Sequence, residues 1–239
     1  MQTNDPQPPA IQRVRITFTK EGATRYISHL DLARAVERAL NRAGLPVAYS
    51  QGFNRRPRLS LAAALPLGYT SEAEMADVWL TETVSPPVFA TRLAASMPPG
   101  IGVKMVGEVP LNSPSIQQQM AESIYEVRFQ DPIEEAALRS RVEDLLAAES
   151  ILREKVRGKG NKPQVIDLRP LILGMDVRRN EDGELCLILR LVQTASQTGR
   201  PDDVIAALGV DPLNTRVHRV GLNLTSSDAP SSAAYLSSM

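Results

Sequence analysis

Residues 12–66 read QRVRITFTKEGATRYISHLDLARAVERALNRAGLPVAYSQGFNRRPRLSLAAALP. In the first nine, Val14, Ile16 and Phe18 alternate with Arg13, Arg15, Thr17 and Thr19, the period of a half-buried strand. Ser28 is placed to cap a helix, with Asp31 in the capping-box position three residues on. Leu32, Val36, Ala39, Leu40 and Ala43 then recur at helical spacing, and Gly44 is a natural residue to follow the C-cap. Pro46 to Tyr49 and Leu59 to Leu65 read as short strands around the turn Ser50 to Pro57.

Moving outward, Ala73 to Thr81 reads as a strand, Pro86 to Met97 as a helix opened by two prolines, and Ile101 to Pro110 as a strand. The order is βαββαβ, that of a ferredoxin-like unit. It recurs: Ser123 to Phe129, a helix from Ile133 to Glu149, a hairpin from Leu171 to Val192, a helix from Pro201 and a last strand from Thr215 to Leu224. The expected class is α+β, two ferredoxin-like halves in tandem with antiparallel sheets. The expected division is a disordered N-terminus at 1–10, a first half at 11–111 carrying the basic motif, a linker at 112–121, a second half at 122–224 and a disordered tail at 225–239.

Composition narrows the function classes. The chain has 239 residues, 43% hydrophobic, with 27 basic and 27 acidic side chains, so a sizeable core forms and net charge names no partner. A single cysteine, Cys186, lies in an apolar run and reads as a buried thiol. It supports no disulfide or iron–sulfur cluster and fits a reducing cytoplasm. No apolar window approaches a membrane span, and the polar, Pro-rich start is not a secretory signal, so no membrane partner is expected. The two histidines, His29 and His218, have no metal-ligand spacing around them. No P-loop ending or serine-triad signature is present, so neither metal nor cofactor is expected.

Charge is local instead. From Arg13 to Arg58 there are ten basic residues against three acidic ones, and nine of the ten are arginine. Arginine's planar fork pairs with phosphate and stacks on bases. Arg34, Arg38 and Arg42 fall four apart and make one ridge on a helix, able to track a phosphodiester backbone or to serve simply as a solvated face. Arg55, Arg56 and Arg58 crowd the turn, where Phe53 and, beside it, Tyr49 are candidates to stack on unpaired bases; Phe53 could equally anchor the loop in the core. Arg25 and His29 stand at the helix start. A second basic hairpin holds Arg153, Lys155, Arg157, Lys159 and Lys162 against Glu154. The expected RNA-binding set is therefore Arg25, His29, Arg34, Arg38, Arg42, Tyr49, Phe53, Arg55, Arg56, Arg58, Arg157, Lys159 and Lys162. A metal-independent endoribonuclease with His29 as acid or base beside Tyr26 is the alternative. A protein-interaction adaptor that never touches nucleic acid is a third reading.

The motifs Arg25 to Leu32 (RYISHLDL), Ala43 to Pro46 (AGLP), Tyr49 to Asn54 (YSQGFN) and Leu65 to Gly68 (LPLG), in that order, resemble the radical-SAM-linked protein family. The resemblance extends over about residues 11–222, more loosely in the second half. Arg55 departs from it, since the family usually has proline after Gly-Phe-Asn. The family comprises domains of unassigned role encoded beside, or fused to, a radical-SAM protein. Its genes often lie near a ribonuclease of the E/G type and ribosomal-protein genes, which implies an RNA context. Paired ferredoxin-like halves also resemble CRISPR repeat-processing endonucleases, an analogy of fold. The resemblance implies an accessory protein presenting RNA (tRNA or rRNA) to a separate radical-SAM enzyme, whose cluster would belong to that partner.

Overall fold

The alternating stretch Gln12–Lys20 forms strand β1, and the capped stretch His29–Arg42 forms helix α1. The computed structural model describes residues 8–51, 54–155 and 164–225. The expected disordered tails therefore lie mostly outside the described residues. The chain divides into two units between Gln119 and Met120.

Unit 1 continues with β2 (Leu59–Leu61), β3 (Thr70–Leu80), α2 (Pro86–Ala94), β4 (Val103–Val109) and the short α3 (Ile116–Gln119). Its sheet runs β4-β1-β3-β2, antiparallel throughout. Val14, Ile16 and Phe18 of β1 and Ala76, Val78 and Leu80 of β3 face the helices, packed on Leu32, Val36 and Leu40 of α1 and Phe89 and Leu93 of α2. Each such side chain contributes about 1.5–3 kcal/mol on burial. α1 ends where Gly44 takes the left-handed conformation (φ 58°). Its N–H donates to Asn41 O (3.1 Å), and Leu45 N–H reaches Leu40 O, the Schellman pattern. Arg92 of α2 then donates to the carbonyls of Ala43 and Gly44 (3.1 and 2.8 Å).

Unit 2 comprises β5 (Met120–Phe129), α4 (Glu135–Ala147), the hairpin β6 (Leu152–Lys155) and β7 (Gln164–Asp167), β8 (Ile172–Arg179), β9 (Leu185–Val192), α5 (Pro201–Ala207) and β10 (Thr215–Leu224). Its sheet runs β10-β5-β9-β8. Each unit thus sets its last strand beside its first and its second strand at the far edge, the ferredoxin-like order. The hairpin β6–β7 stands between the first helix and the second strand of unit 2, the position that residues 43–58 hold in unit 1. Cys186 is buried, and that burial, with the Glu126 carboxylate, raises its thiol above the ordinary value.

Three expectations are corrected. Pro46 to Tyr49 is not a named strand; it contributes isolated bridges, Val47 to Leu80 and Tyr49 to Pro57. The strand expected over Leu59 to Leu65 stops at Leu61. The stretch 112–121 contains α3 and the start of β5, and Ile116 is fully buried. Its polar residues resemble a linker because they supply acceptors to buried charge: Arg13 Nη1 donates to Ser113 O (2.6 Å) and Nη2 to Pro114 O (2.8 Å). Gln117 likewise donates to Ser60 Oγ and Leu61 O. β1 is consequently buried on both faces rather than one.

Candidate nucleic-acid interface

The basic stretch splits in two. Arg13, Arg15 and Lys20 are buried, which removes three of the ten basic residues from any surface. Strand register explains the first two, since β1 sets Arg15 opposite Asp77 and Arg13 opposite Trp79 of β3. Asp77, with no exposed surface, accepts from Arg15 Nε (2.7 Å) and Nη2 (3.0 Å) and from Arg13 Nε (3.1 Å). Arg15 Nη1 also donates to Gln119 Oε1 (3.1 Å). Fully hydrogen-bonded guanidiniums around a carboxylate can be buried; unpaired ones cannot.

The other seven stand on or beside α1. Ser28 caps the helix: its Oγ accepts from Asp31 N–H (3.1 Å) and donates to Asp31 Oδ2 (2.7 Å). That hydroxyl, with Arg34, holds the Asp31 carboxyl below its ordinary value of 3.8. The ridge of Arg34, Arg38 and Arg42 is exposed, but its members differ. Arg34 pairs with Asp31 (3.2 Å) and Arg42 donates to Ser96 O (2.7 Å). Among the described residues Arg38 makes no ion pair and points its charge to solvent.

The segment 46–58 docks on α1 and β3. Ala48 N–H donates to Trp79 O (2.8 Å), Trp79 N–H to Arg58 O (3.2 Å) and Arg58 N–H to Ala48 O (2.7 Å). Ser50 and Arg56 close the loop, Ser50 N–H to Arg56 O (2.8 Å) and Arg56 N–H to Ser50 Oγ (3.1 Å). Two side-chain bonds pin it to the helix: Tyr49 Oη donates to Asn41 Oδ1 (2.8 Å), and Arg56 pairs with Glu37 (3.0 Å). Arg55, Arg56 and Arg58 are all exposed. The Arg58 guanidinium lies 4.5 Å from the centroid of the Trp79 ring, and Arg13 lies 4.9 Å from the same ring. The ring is half-buried and electron-rich, and it orients both cations.

At the helix start, the Arg25 guanidinium lies 4.8 Å from the ring centroid of Tyr26. Gly68 N–H donates to Arg25 O (2.9 Å), bringing the LPLG and RYISHLDL motifs together. His29 is the first residue of α1 and is half-buried. Tyr26, Leu30 and Leu67 are each exposed large apolar side chains.

The structure therefore gathers Arg34, Arg38, Arg42, Tyr49, Arg55 and Arg56 on α1 and its docked loop, with Arg25 and His29 at the helix start; Arg58 instead lies over Trp79, on the sheet face that carries Arg13 and Asp77 and is turned away from α1. Phe53, Arg157, Lys159 and Lys162 lie outside the described residues. Of the second hairpin, Arg153 is exposed on β6. Sequence reasoning missed Glu37, Asn41 and Trp79. The two helix residues lie four apart on α1, the only local sign that they act together; Trp79 is recognisable only through strand register. Among the described residues no group of three or more His, Cys, Asp or Glu could hold a metal ion. No helix there is long and apolar enough to cross a membrane.

The fold and this surface define an α+β protein of paired ferredoxin-like units with an arginine-rich face on the first. The chain belongs to the family described as an uncharacterized protein conserved in bacteria (DUF2344), whose model matches residues 13–201. A search among curated protein sequences returns no match. Among solved structures, the chain is similar to a chain of a Cbf5-Nop10-Gar1 complex (TM-score 0.43, 11% identity, covering 90% of this chain and 48% of that one). It spans about half of that structure's length. It is also similar to a putative glycine cleavage system transcriptional repressor (TM-score 0.23, 10% identity, 90% and 98% covered). A third is the first two RRM domains of yeast poly(U) binding protein Pub1 (TM-score 0.21, 10% identity, 90% and 99% covered). At such scores and identities these likenesses carry no functional argument.

Proposed function

We propose that the protein is a cytoplasmic RNA-binding accessory protein that presents RNA, tRNA or rRNA, to a separate radical-SAM modification enzyme. The observation that carries the RNA reading is the exposed arginine face, Arg34, Arg38 and Arg42 on α1 with Arg55 and Arg56 on the loop pinned to it, while the exposed Arg58 at the end of that loop lies over Trp79. Glu37 and Asp31 neutralise only part of that charge, and Arg38 stays uncommitted. RRM-type recognition stacks bases on an open sheet face. In unit 1 that face holds Arg13, Arg15 and Asp77 bonded to residues 113–119, so the reading uses the helix and its loop instead. Phosphates would pair with the arginines, and Arg25 and His29 would meet the RNA at the helix start.

The radical-SAM partner rests on the motif resemblance alone. The exposed Tyr26, Leu30 and Leu67 suit contact with such a partner. The test is a salt titration of RNA binding by wild type and by Arg55→Glu/Arg56→Glu/Arg58→Glu. The variant is expected to bind about tenfold or more weakly, with a log–log salt slope smaller by about 2. Unchanged affinity and slope would remove this face from the proposal.

A further inference from the structure

Strand β4 forms the outer edge of the unit 1 sheet, paired with β1 on one side. Among the described residues no strand covers its other side, which leaves a row of backbone donors and acceptors open. Natural edges are commonly protected by proline, bulges or like charge. β4 reads Val103-Lys104-Met105-Val106-Gly107-Glu108-Val109, with no proline and one charge of each sign; its pairing with β1 shifts register at Lys104 and is regular from Met105 to Val109. Register places Val106 opposite Ile16 and Glu108 opposite Val14, so both lie on the helix side of the sheet. Lys104, at the register shift, lines a groove against α2 together with Val106.

We infer that β4 pairs antiparallel with β4 of a second copy of this chain, the two-fold axis passing at Val106. The charge pattern selects this register. Centred there, Lys104 of each copy stands opposite Glu108 of the other and Met105 opposite Gly107. Centring on Lys104 or on Glu108 sets like charges against each other, and centring on Met105 or Gly107 sets a charge against Val106. Opposite charges directly across a strand pair stabilise it and like charges weaken it. Glu108 is exposed and makes no ion pair among the described residues, so it is available. Lys104 pairs with Glu72 of its own sheet (2.7 Å) and remains 34% exposed, positioned between two carboxylates in the dimer.

A second feature follows the same edge. α2 and β4 enclose a groove of about 390 Å³ lined by Pro86, Pro87, Ala90, Ala94, Val103 and Met105. Two-fold pairing of β4 carries this apolar wall of one copy toward its counterpart, as an isologous interface requires. The inference uses unit 1 alone and is independent of the RNA reading.

The test is multi-angle light scattering and sedimentation equilibrium on the full chain across a concentration series. Wild type is expected to reach twice its 26.1 kDa mass. Lys104→Glu and Glu108→Lys each set like charges across the two-fold twice and are expected to weaken dimerisation about tenfold or more. The swap Lys104→Glu/Glu108→Lys restores opposite charge and is expected to restore the dimer. Circular dichroism confirms that each variant is folded, and Glu108→Lys leaves the Glu72 pair intact. A monomer at every concentration, single variants with unchanged association, or a swap that fails to rescue would each overturn the inference.

Discussion

Arg13 and Arg15 of β1, Arg38 of α1 and Arg58 of the loop before β2 come from one basic stretch and one side-chain chemistry. The first pair is buried around Asp77, with every guanidinium nitrogen donating at least one hydrogen bond. The second pair is exposed, one over Trp79 and one in solvent. The buried pair stabilises the fold and presents nothing to a partner; the exposed pair contributes little to the fold and leaves its charge available. A count of arginines adds the two together, although only the second is exposed to a partner.

The sharpest way to break this comparison is at Asp77. Asp77→Ala leaves two buried guanidiniums without their carboxylate and is expected to cost about 3–5 kcal/mol in urea denaturation. The same change is expected to leave the salt slope of RNA binding unaltered wherever the variant is folded. A change in slope would place Arg13 or Arg15 in the contact surface and erase the distinction. The triple glutamate variant of the loop is next, with the opposite signature: weaker RNA binding, and a loss of stability smaller than that of Asp77→Ala, from the lost Arg56–Glu37 and Arg58–Trp79 contacts.

Trp79→Ala probes the boundary between the two groups, because Arg13 and Arg58 share its ring. Losing the cation–π contact alone costs about 0.5–1 kcal/mol at such a site, and loss of buried ring area adds to it. Weaker RNA binding is also expected, since Arg58 loses the surface that orients it. Equal RNA affinity in Trp79→Ala would limit the ring to a structural role.

The smallest effects lie at the helix cap. Ser28→Ala is expected to cost about 1 kcal/mol of stability. Asp31 sharpens this through pH. Its carboxyl titrates below 3.8 in the folded chain, first because of the Ser28 hydroxyl and then because of Arg34. A depressed carboxylate contributes stability that is present above its unfolded value and lost as pH falls through its folded one. Thermal melts of wild type and Asp31→Asn are therefore expected to differ at neutral pH and to converge as pH falls below 3.8 and through the lowered folded value. A constant difference across that window would show that Asp31 acts through something other than its charge.

Much of unit 1 was legible before any coordinates. The alternation in β1, the Ser28 cap, the apolar stripe of α1 and the stop at Gly44 all lie within a few residues of the groups they act on. The short strand expected at Pro46 to Tyr49 failed for the complementary reason. Its backbone partners are Trp79 and Arg58, supplied by other parts of the chain. The run Asn112 to Ala121 looks like a linker in composition because Ser, Gln and Pro are typical of loops. Here their carbonyls and amides serve as acceptors for Arg13 and Arg15, about a hundred residues earlier.

By itself the sequence determined the main strands and helices of both units, apart from the strand misplaced at Pro46 to Tyr49 and the short α3, together with the caps of α1 and the concentration of arginine around it. These follow from periodicity and from contacts three or four residues apart, which a linear chain displays directly. Only the tertiary structure decided which arginines face inward. Arg13 and Asp77 are 64 residues apart, and their meeting depends on the register of β1 against β3. A charge is buried or exposed according to what lies across the sheet from it, and that neighbour is chosen by folding rather than by local spacing.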